Sequence, residues 1–263
     1  MMKKKFKKTK LYKCLKYFKT GKRLLNNPIY VDGQKKSIIE FEKKVKRSEI
    51  INFLLNEINR ETNYLEIGVR NPDDNYSKIK SANKYSVDPG IEFKKNPVDF
   101  KMTSDDFFSY LDQDKVLSKD IRFDVVFIDG LHLAEQVDRD IINSLRYLKE
   151  DGFIVLHDCN PPTEWHSREN YYYRMTPAVS EWNGTTWKAF LKWRYDSSVE
   201  SCCIDTDWGV GVISKKYPIG RKLHSHNLFF EFKTLDNNRE EQLNLMSFDS
   251  FKKIISETIH NNP

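Results

Sequence analysis

Between residues 48 and 158 the chain alternates two hydrophobic periods. Ile50, Ile51, Leu54, Leu55 and Ile58 share one helical face, with Ser48 as the expected N-cap. A short apolar run over 63–67 (NYLEI) closes at Gly68, and Pro72, Asp73 and Asp74 suit the first turn of a helix running to Ile79. Further strands are predicted at 84–87, ending on Asp88, at 123–128 (FDVVFI), ending on Asp129-Gly130, and at 153–156 (FIVL), ending on His157-Asp158, with a weaker one at 98–102. Thr103 or Ser104 caps a helix through DDFFSYL. Val137, Ile141, Leu145 and Leu148 mark an amphipathic helix over 134–149 that Asp151-Gly152 ends. Strands alternating with helices at this spacing require a parallel sheet covered on both faces. The expected fold is therefore α/β, a doubly wound, mostly parallel Rossmann-like sheet.

After residue 158 the rhythm breaks. Residues 160–198 form an insert containing Pro161-Pro162, three consecutive tyrosines and the helix-like TTWKAFLKWR. VESCCID and WGVGVIS, joined by Asp205-Thr206-Asp207, predict a terminal antiparallel hairpin. Phe248, Phe251, Ile254, Ile255 and Ile259 predict a last helix that covers the body or pairs two subunits, so a homo-oligomer is one expectation. At the other end, residues 1–27 predict a lysine-rich helix with Leu11, Leu15 and Phe18 on one side, broken by Asn26, Asn27 and Pro28. The domain plan is a basic arm and lead-in helix over 1–47, a core domain over 48–220 carrying the insert 160–198, and a C-terminal extension over 221–263.

Composition refines this picture. With 263 residues and 39% hydrophobic content the chain can bury a sizeable core, and no run approaches the roughly 18 apolar residues of a membrane span. The net charge of +6 is unevenly placed: residues 1–30 hold ten lysines and Arg23 without an acid, leaving 33 basic and 38 acidic residues elsewhere. A basic arm on a mildly acidic body argues against a nucleic-acid partner. It suits either a solvated arm docking a few apolar side chains or peripheral contact with an anionic membrane. Cys14, Cys159, Cys202 and Cys203 form no CxxC pair, and lysines interrupt every apolar stretch of the N-terminus. The expectation is a reducing, cytoplasmic location without a signal-peptide core.

In an open parallel sheet, ligands bind beyond the carboxyl ends of the strands. Four strand ends carry Glu66-Ile67-Gly68, Asp88, Asp129-Gly130-Leu131-His132 and His157-Asp158. Each has an ordinary structural use as turn chemistry, a strand exit or a satisfied core histidine. Their conjunction predicts one ligand site. Asp88, 22 residues after Glu66, has the spacing of an acid that grips ribose hydroxyls. The intervening loop GVRNPDD has one glycine, and Asp73 and Asp74 stand where a dinucleotide's pyrophosphate would sit. A sulfonium donor without phosphate meets less of an obstacle there, although both carboxylates also serve simply as helix-start residues.

EIGVR, SVDP, FDVVFIDGLH and DGFIVLHDCNPPTEWHSR, in this order, resemble the class I S-adenosylmethionine-dependent methyltransferases, in particular a bacterial group associated with surface-polysaccharide and sugar modification. The resemblance spans residues 60–215, and EIGVRNP departs from the glycine-rich ExGxGxG form of the first motif. It implies Glu66 and Gly68 at the methionine end of the cofactor, Asp88 at the ribose, and Ser104 and Asp105 at the adenine edge, with Asp129 closing the site. DGLH and the following HD pair are similar to metal-dependent sugar O-methyltransferases of macrolide biosynthesis. That likeness implies Mg²⁺ or Mn²⁺ at Asp129, His157 and Asp158, with His132 as base and Asp129 beside it in catalysis. His157 stands where those enzymes carry an acid, which softens the oxygen-rich set that Mg²⁺ prefers and fits the absence of a metal equally well.

The chemistry asked of these residues is modest. A methyl group on a sulfonium is already activated, so the protein must align an acceptor and remove its proton. Histidine suits that task, with an ordinary pKa of about 6.5. Against this, His132 could merely cap the helix that follows. Trp165, His166 and Arg168, directly after the HDCNPP strand exit, and Arg194 are the expected contacts to a sugar bearing phosphate or carboxylate. Most of TWKAFLKW is expected to pack inward. The leading expectation is an S-adenosylmethionine-dependent O-methyltransferase acting on a sugar, glycan precursor or small phosphorylated acceptor. Its rivals are an NAD-type oxidoreductase, disfavoured by the missing glycines, and a non-catalytic scaffold organised through the basic arm and the last helix.

Overall fold

The computed structural model describes residues 9–93, 95, 97–223 and 226–261, so the lysines before Thr9 lie outside the described residues. Three helices lead in: α1 (Lys10–Leu25), α2 (Pro28–Glu42) and α3 (Arg47–Ile58). The core follows as β1 (Asn63–Ile67), β2 (Asn83–Val87), α4 (Ser104–Asp112), β3 (Phe123–Ile128), α5 (Ala134–Tyr147) and β4 (Leu148–Leu156). After the insert come α6 (Thr186–Arg194), β5 (Glu200–Ile204) and β6 (Val210–Ser214), then α7 (Phe232–Asn237), α8 (Arg239–Leu243), β7 (Leu245–Met246) and α9 (Phe248–Asn261).

The seven strands form one sheet in the order β2-β1-β3-β4-β6-β5-β7. Pairing is parallel from β2 to β4 and antiparallel where β6 meets β4 and β5. The expected doubly wound sheet with a terminal hairpin is therefore present. Every residue of β3 is buried, as the apolar run Val125–Ile128 requires and as Asp124 allows by finding charged partners. One core layer packs Phe107, Phe108, Val137 and Ile141 from α4 and α5 on one face of the sheet; the other packs Ile50, Leu54, Phe251 and Ile255 from α3 and α9 on the opposite face. The last helix thus covers this chain's own body, with Phe53 of α3 edge-on to Phe248. No helix among the described residues is long and apolar enough to cross a membrane.

Several local expectations are corrected. The helix expected after NPDD is only a short 3-10 turn, Tyr76–Lys78, because Asn75 is buried to donate into the core and the preceding loop closes on its own turn bonds. The weak strand at 98–102 reduces to a single parallel bridge between Phe100 and Val87. Lys46, not Ser48, occupies the N-cap of α3, and Ser48 is buried within the first turn. Asp151 and Gly152 lie inside β4 rather than ending a helix. The lead-in region holds a second helix, α2, started by Asn27, whose side chain accepts from the Ile29 amide ahead of Pro28. That helix docks on the insert, where Gln34 donates to the Pro177 carbonyl and Ser37 bonds His166, and on the hairpin turn, where Phe41 meets Trp208 edge-on.

The amino end of the parallel sheet is pinned by Asp124. Its fully buried carboxylate accepts from Arg60 (2.6 and 2.9 Å), Lys149 (2.9 Å) and the Asn63 amide (2.8 Å). Removing the carboxylate strands two cations, though Arg60 keeps Asp151. Asp124→Ala should therefore cost about 3 kcal/mol of stability, read as a lower urea midpoint at unchanged slope; a loss under about 0.5 kcal/mol would contradict this role.

Candidate active site

The strand ends meet as their register dictates. Ile67, Ile128 and Leu156 are paired neighbours across β1, β3 and β4, and the ladder continues one residue further. The Asp129 amide donates to the Ile67 carbonyl (2.9 Å) and the His157 amide to that of Ile128 (3.2 Å). Gly68, with φ +93°, passes so close that a Cβ would lie 2.3 Å from the Asp129 carbonyl oxygen, so only glycine fits this crossing.

Two cavities open beside this crossing and share Gly68, Arg70, Glu92, Asp129, Gly130 and Trp182 as a common wall. The larger, about 410 Å³, runs from Gly68 past Asp88 to Ser104, Gln136 and Asp140. Apolar side chains flank it, including Ile91 and Leu131, which are 83% and 53% exposed. The second, about 280 Å³, is strongly polar and is lined by Arg47, Glu66, Asn75, Asp129, His132, His157 and Asp158, with Tyr171 and Trp182 on its outer side. Of the four acids expected at one rim, Glu66, Asp129 and Asp158 line this polar cavity, and Asp88 lines the adjoining one, which Asp129 also reaches.

Within the polar cavity the charges interlock. His132 spans two carboxylates, Nδ1 lying 3.0 Å from Asp158 and Nε2 3.2 Å from Asp129. His157 Nδ1 lies 3.1 Å from Asp129 and 3.4 Å from Asp158. The Arg47 guanidinium stands 3.6 Å from Asp129, 3.0 Å from Asp207 and 3.3 Å from His157 Nε2. Burial by itself would favour neutral groups, yet the mutual contacts win. The two imidazoles, beside Asp158 and Asp129, are pushed above the usual histidine range, His157 to about 10. The carboxylates are held low by the histidines, Asp158 at about 2 and Asp129 well below its ordinary value. Asp129, Asp158 and Asp207 are thus balanced by Arg47, His132 and His157. Glu66 differs: burial raises its carboxyl to about 7, although Tyr64 and Asn75 both donate to it.

The insert supports this cluster from above. Trp182 stacks on the His132 ring at 5.0 Å and 15°, and Asn183 donates to Asp158 (2.7 Å). Gly184, with φ +60°, passes where a Cβ would lie 2.0 Å from the His132 carbonyl oxygen, and the Thr185 hydroxyl accepts from the Ala134 amide. Thr185, and not His132, therefore starts α5.

The other expected substrate contacts lie elsewhere. None of Trp165, His166, Arg168 and Arg194 lines either cavity. His166 is fully buried between Ser37 and Thr163, and burial lowers its pKa to about 4. Arg168 gathers the carbonyls of Trp165, Val179 and Glu181, tying the insert to itself. Arg194 is buried against the carbonyls of Ser201, Arg221 and Gln242. The terminal guanidinium nitrogens of both arginines are spent on backbone carbonyls. Asp105 also turns outward, toward Arg139 and Gln136, because it sits one residue round the helix from inward-facing Ser104. Its place in the cavity is taken by Asp140, buried, bonded to Ser104 (2.6 Å) and Gln136 (3.0 Å).

Donor atoms of Asp129, His132 and Asp158 lie within 4.8 Å of one another, a mixed oxygen and nitrogen set that fits a divalent transition ion better than Mg²⁺. His132 thus stands where His157 was expected in the set, and His157 Nδ1 faces the same two carboxylates at 3.1 and 3.4 Å.

Residues 53–159 match the family model described as a methyltransferase domain. Solved structures with a similar fold include the O-methyltransferase from Bacillus cereus in complex with S-adenosylhomocysteine, 15% identical over 72% of this chain and 92% of that one, with a TM-score of 0.42. The S-adenosylhomocysteine-bound methyltransferase PaMTH1 of Podospora anserina is 14% identical over 76% and 95%, at 0.40. The MycE methyltransferase of the mycinamycin biosynthetic pathway, in complex with Mg, S-adenosylhomocysteine and mycinamycin VI, is 14% identical over 79% and 59%, at 0.40. No curated protein matches the sequence.

Asp140 provides a pH test of the cavity. Burial raises its carboxyl to about 6, above the unfolded value. Its contribution is full below the unfolded pKa and is lost as pH rises from about 4 through 6. Asp140→Asn should leave stability unchanged at pH 4 and raise it by about 1–2 kcal/mol at pH 8, measured by thermal unfolding at both pH values. A variant equally stabilised or equally destabilised at both would contradict the assignment.

Proposed function

We propose that residues 53–159, which match the methyltransferase-domain model, form a class I S-adenosylmethionine-dependent methyltransferase domain, and that the chain methylates a hydroxyl of a small sugar or glycan-type acceptor at the polar cavity. The observation that carries this reading is the shared wall: a cavity suited to an adenosine opens directly onto one suited to a polar acceptor, with Gly68 and Asp129 between them.

Asp88, at the end of β2, is placed for ribose hydroxyls, and Ser104 with Asp140 for the adenine edge, while Ile91 and Leu131 offer apolar faces to the base. Gly68 leaves room for the methionine end, and the carboxylates of Asp129 and Glu66 favour a cationic centre near it. S-adenosylmethionine held there supplies a methyl group already activated for transfer. The chain's own work is to orient the acceptor and accept its proton. Tyr171 and Trp182 offer ring faces to a sugar, and Arg70, Asn71, Ser180 and Glu181 line the same cavity with hydrogen-bonding groups.

His132 is the residue placed to take the proton, through Nε2, once its ring is neutral: Asp129 and Asp158 hold it protonated in the empty site, and a cationic donor beside Asp129 offsets that pull, while Asp158 and the Trp182 ring fix the imidazole. Arg47, 3.6 Å from Asp129, helps to keep that carboxylate charged, as a positioning residue. Asp129, Asp158 and His157 would hold a divalent cation, with His132 left as the base, and the cation would lower the pKa of an acceptor hydroxyl.

Calorimetry with S-adenosylhomocysteine tests the premise: the wild-type chain should bind it, and Asp88→Ala should bind about tenfold or more weakly. Absence of binding to the folded protein would remove the reading. With an acceptor that gains one methylene unit by mass spectrometry, His132→Ala should lower kcat by about 100-fold or more, with S-adenosylhomocysteine affinity held within about threefold. Normal turnover in that variant would assign the proton elsewhere.

A further inference from the structure

The methyltransferase reading leaves α1 without a task. This helix contributes no buried residue, and Leu11, Leu15 and Phe18 are 62%, 45% and 72% exposed. At about 100° per residue, Leu11, Cys14, Leu15, Phe18 and Leu25 fall in one arc, and Lys13, Lys16, Lys19 and Arg23 fall in the opposite one. Lys22 alone stands inside the apolar arc, where its four-carbon stem can lie along apolar neighbours and carry the ammonium outward. The helix has no acid, and none precedes Asp32 in the chain. Its successor α2 is held to the body through Gln34, Ser37 and Glu40, so α1 is presented from a fixed base.

We infer that α1 binds the surface of an anionic membrane, lying in the plane of the headgroups with Leu11, Leu15 and Phe18 turned into the acyl boundary. Charge complementarity selects this occupant. An anionic bilayer satisfies the apolar and basic faces together, whereas a second copy of α1 would bring six further cations against the first six. A partner that is only a polyanion would satisfy the lysines and leave the apolar arc in water.

Cosedimentation of the full chain with vesicles decides it. Wild type should pellet with phosphatidylglycerol-containing vesicles at physiological salt and stay in solution with pure phosphatidylcholine. The triple variant Leu11→Ser, Leu15→Ser, Phe18→Ser and the quadruple variant Lys13→Gln, Lys16→Gln, Lys19→Gln, Arg23→Gln should each lose affinity by at least about tenfold. S-adenosylhomocysteine affinity in the same samples reports the folded body, so this test and that of methyl transfer fail separately. The inference is overturned if wild type ignores the phosphatidylglycerol vesicles. It is equally overturned if the serine variant binds as wild type, which would make the helix a simple polyanion contact. A wild-type dimer in the ultracentrifuge that the serine variant dissolves, without vesicle binding, would assign the apolar arc to a second copy instead.

Discussion

The in-register ending of three parallel strands is the constraint from which the site follows. Because Ile67, Ile128 and Leu156 pair side by side, the next residues, Gly68, Asp129 and His157, must emerge at one level. Parallel pairing also sends each strand's successor out of the same edge, so polar residues placed there converge without any further device. A one-residue slip of β3 would send Asp129 to the other face and bring Ile128 to the rim. The buried apolar runs Val125–Ile128 and Phe153–Leu156 make that slip costly.

Convergence creates an electrostatic problem that the rest of the chain solves. Buried carboxylates are expensive unless paired, and three of them stand within one cluster. The partners come from four separate segments: Arg47 from the start of α3, His132 from the loop before α5, His157 from the end of β4, and Asn183 with Trp182 from the insert. Asp158 adopts a left-handed backbone, φ +62°, a conformation that costs of order 1–3 kcal/mol and is held by its bonds to His132 and Asn183. Arg47 lies upstream of the matched domain, and α2 binds the insert that carries Trp182. The lead-in helices are therefore part of the site's framework as well as the base from which α1 projects.

Residues whose role is fixed by strand periodicity were legible from the chain alone. Glu66, Asp88, Asp129 and Asp158 follow strongly apolar strands, and the end of such a strand is a place as well as a residue. Ser104 was legible through its helix cap, but Asp105 was not separable from it, since facing inward or outward is a matter of one helical step. His166, Arg168 and Arg194 looked like ligand contacts because chemistry alone cannot distinguish a guanidinium aimed at substrate from one that satisfies carbonyls in a long irregular insert. Arg47 and Asp207 were missed for the opposite reason: no local pattern marks them, and they reach the site only through tertiary packing. One signal was available for Arg47. Two cations, Lys46 and Arg47, open a helix at the end where cations are disfavoured, which points to acids contributed from elsewhere. The short turn at Tyr76–Lys78 escaped for a similar reason, since Asn75 serves Glu66 rather than a helix.

The account's central claim is that donor and acceptor meet across the wall made by Gly68 and Asp129. A crystal structure of the chain with S-adenosylhomocysteine bound tests it most directly. The account predicts the adenosine lying between Asp88 and Asp140 and the sulfur facing the polar cavity, with the His132 ring on the far side of that space. An adenosine bound anywhere else, or a sulfur turned away from His132, would contradict it.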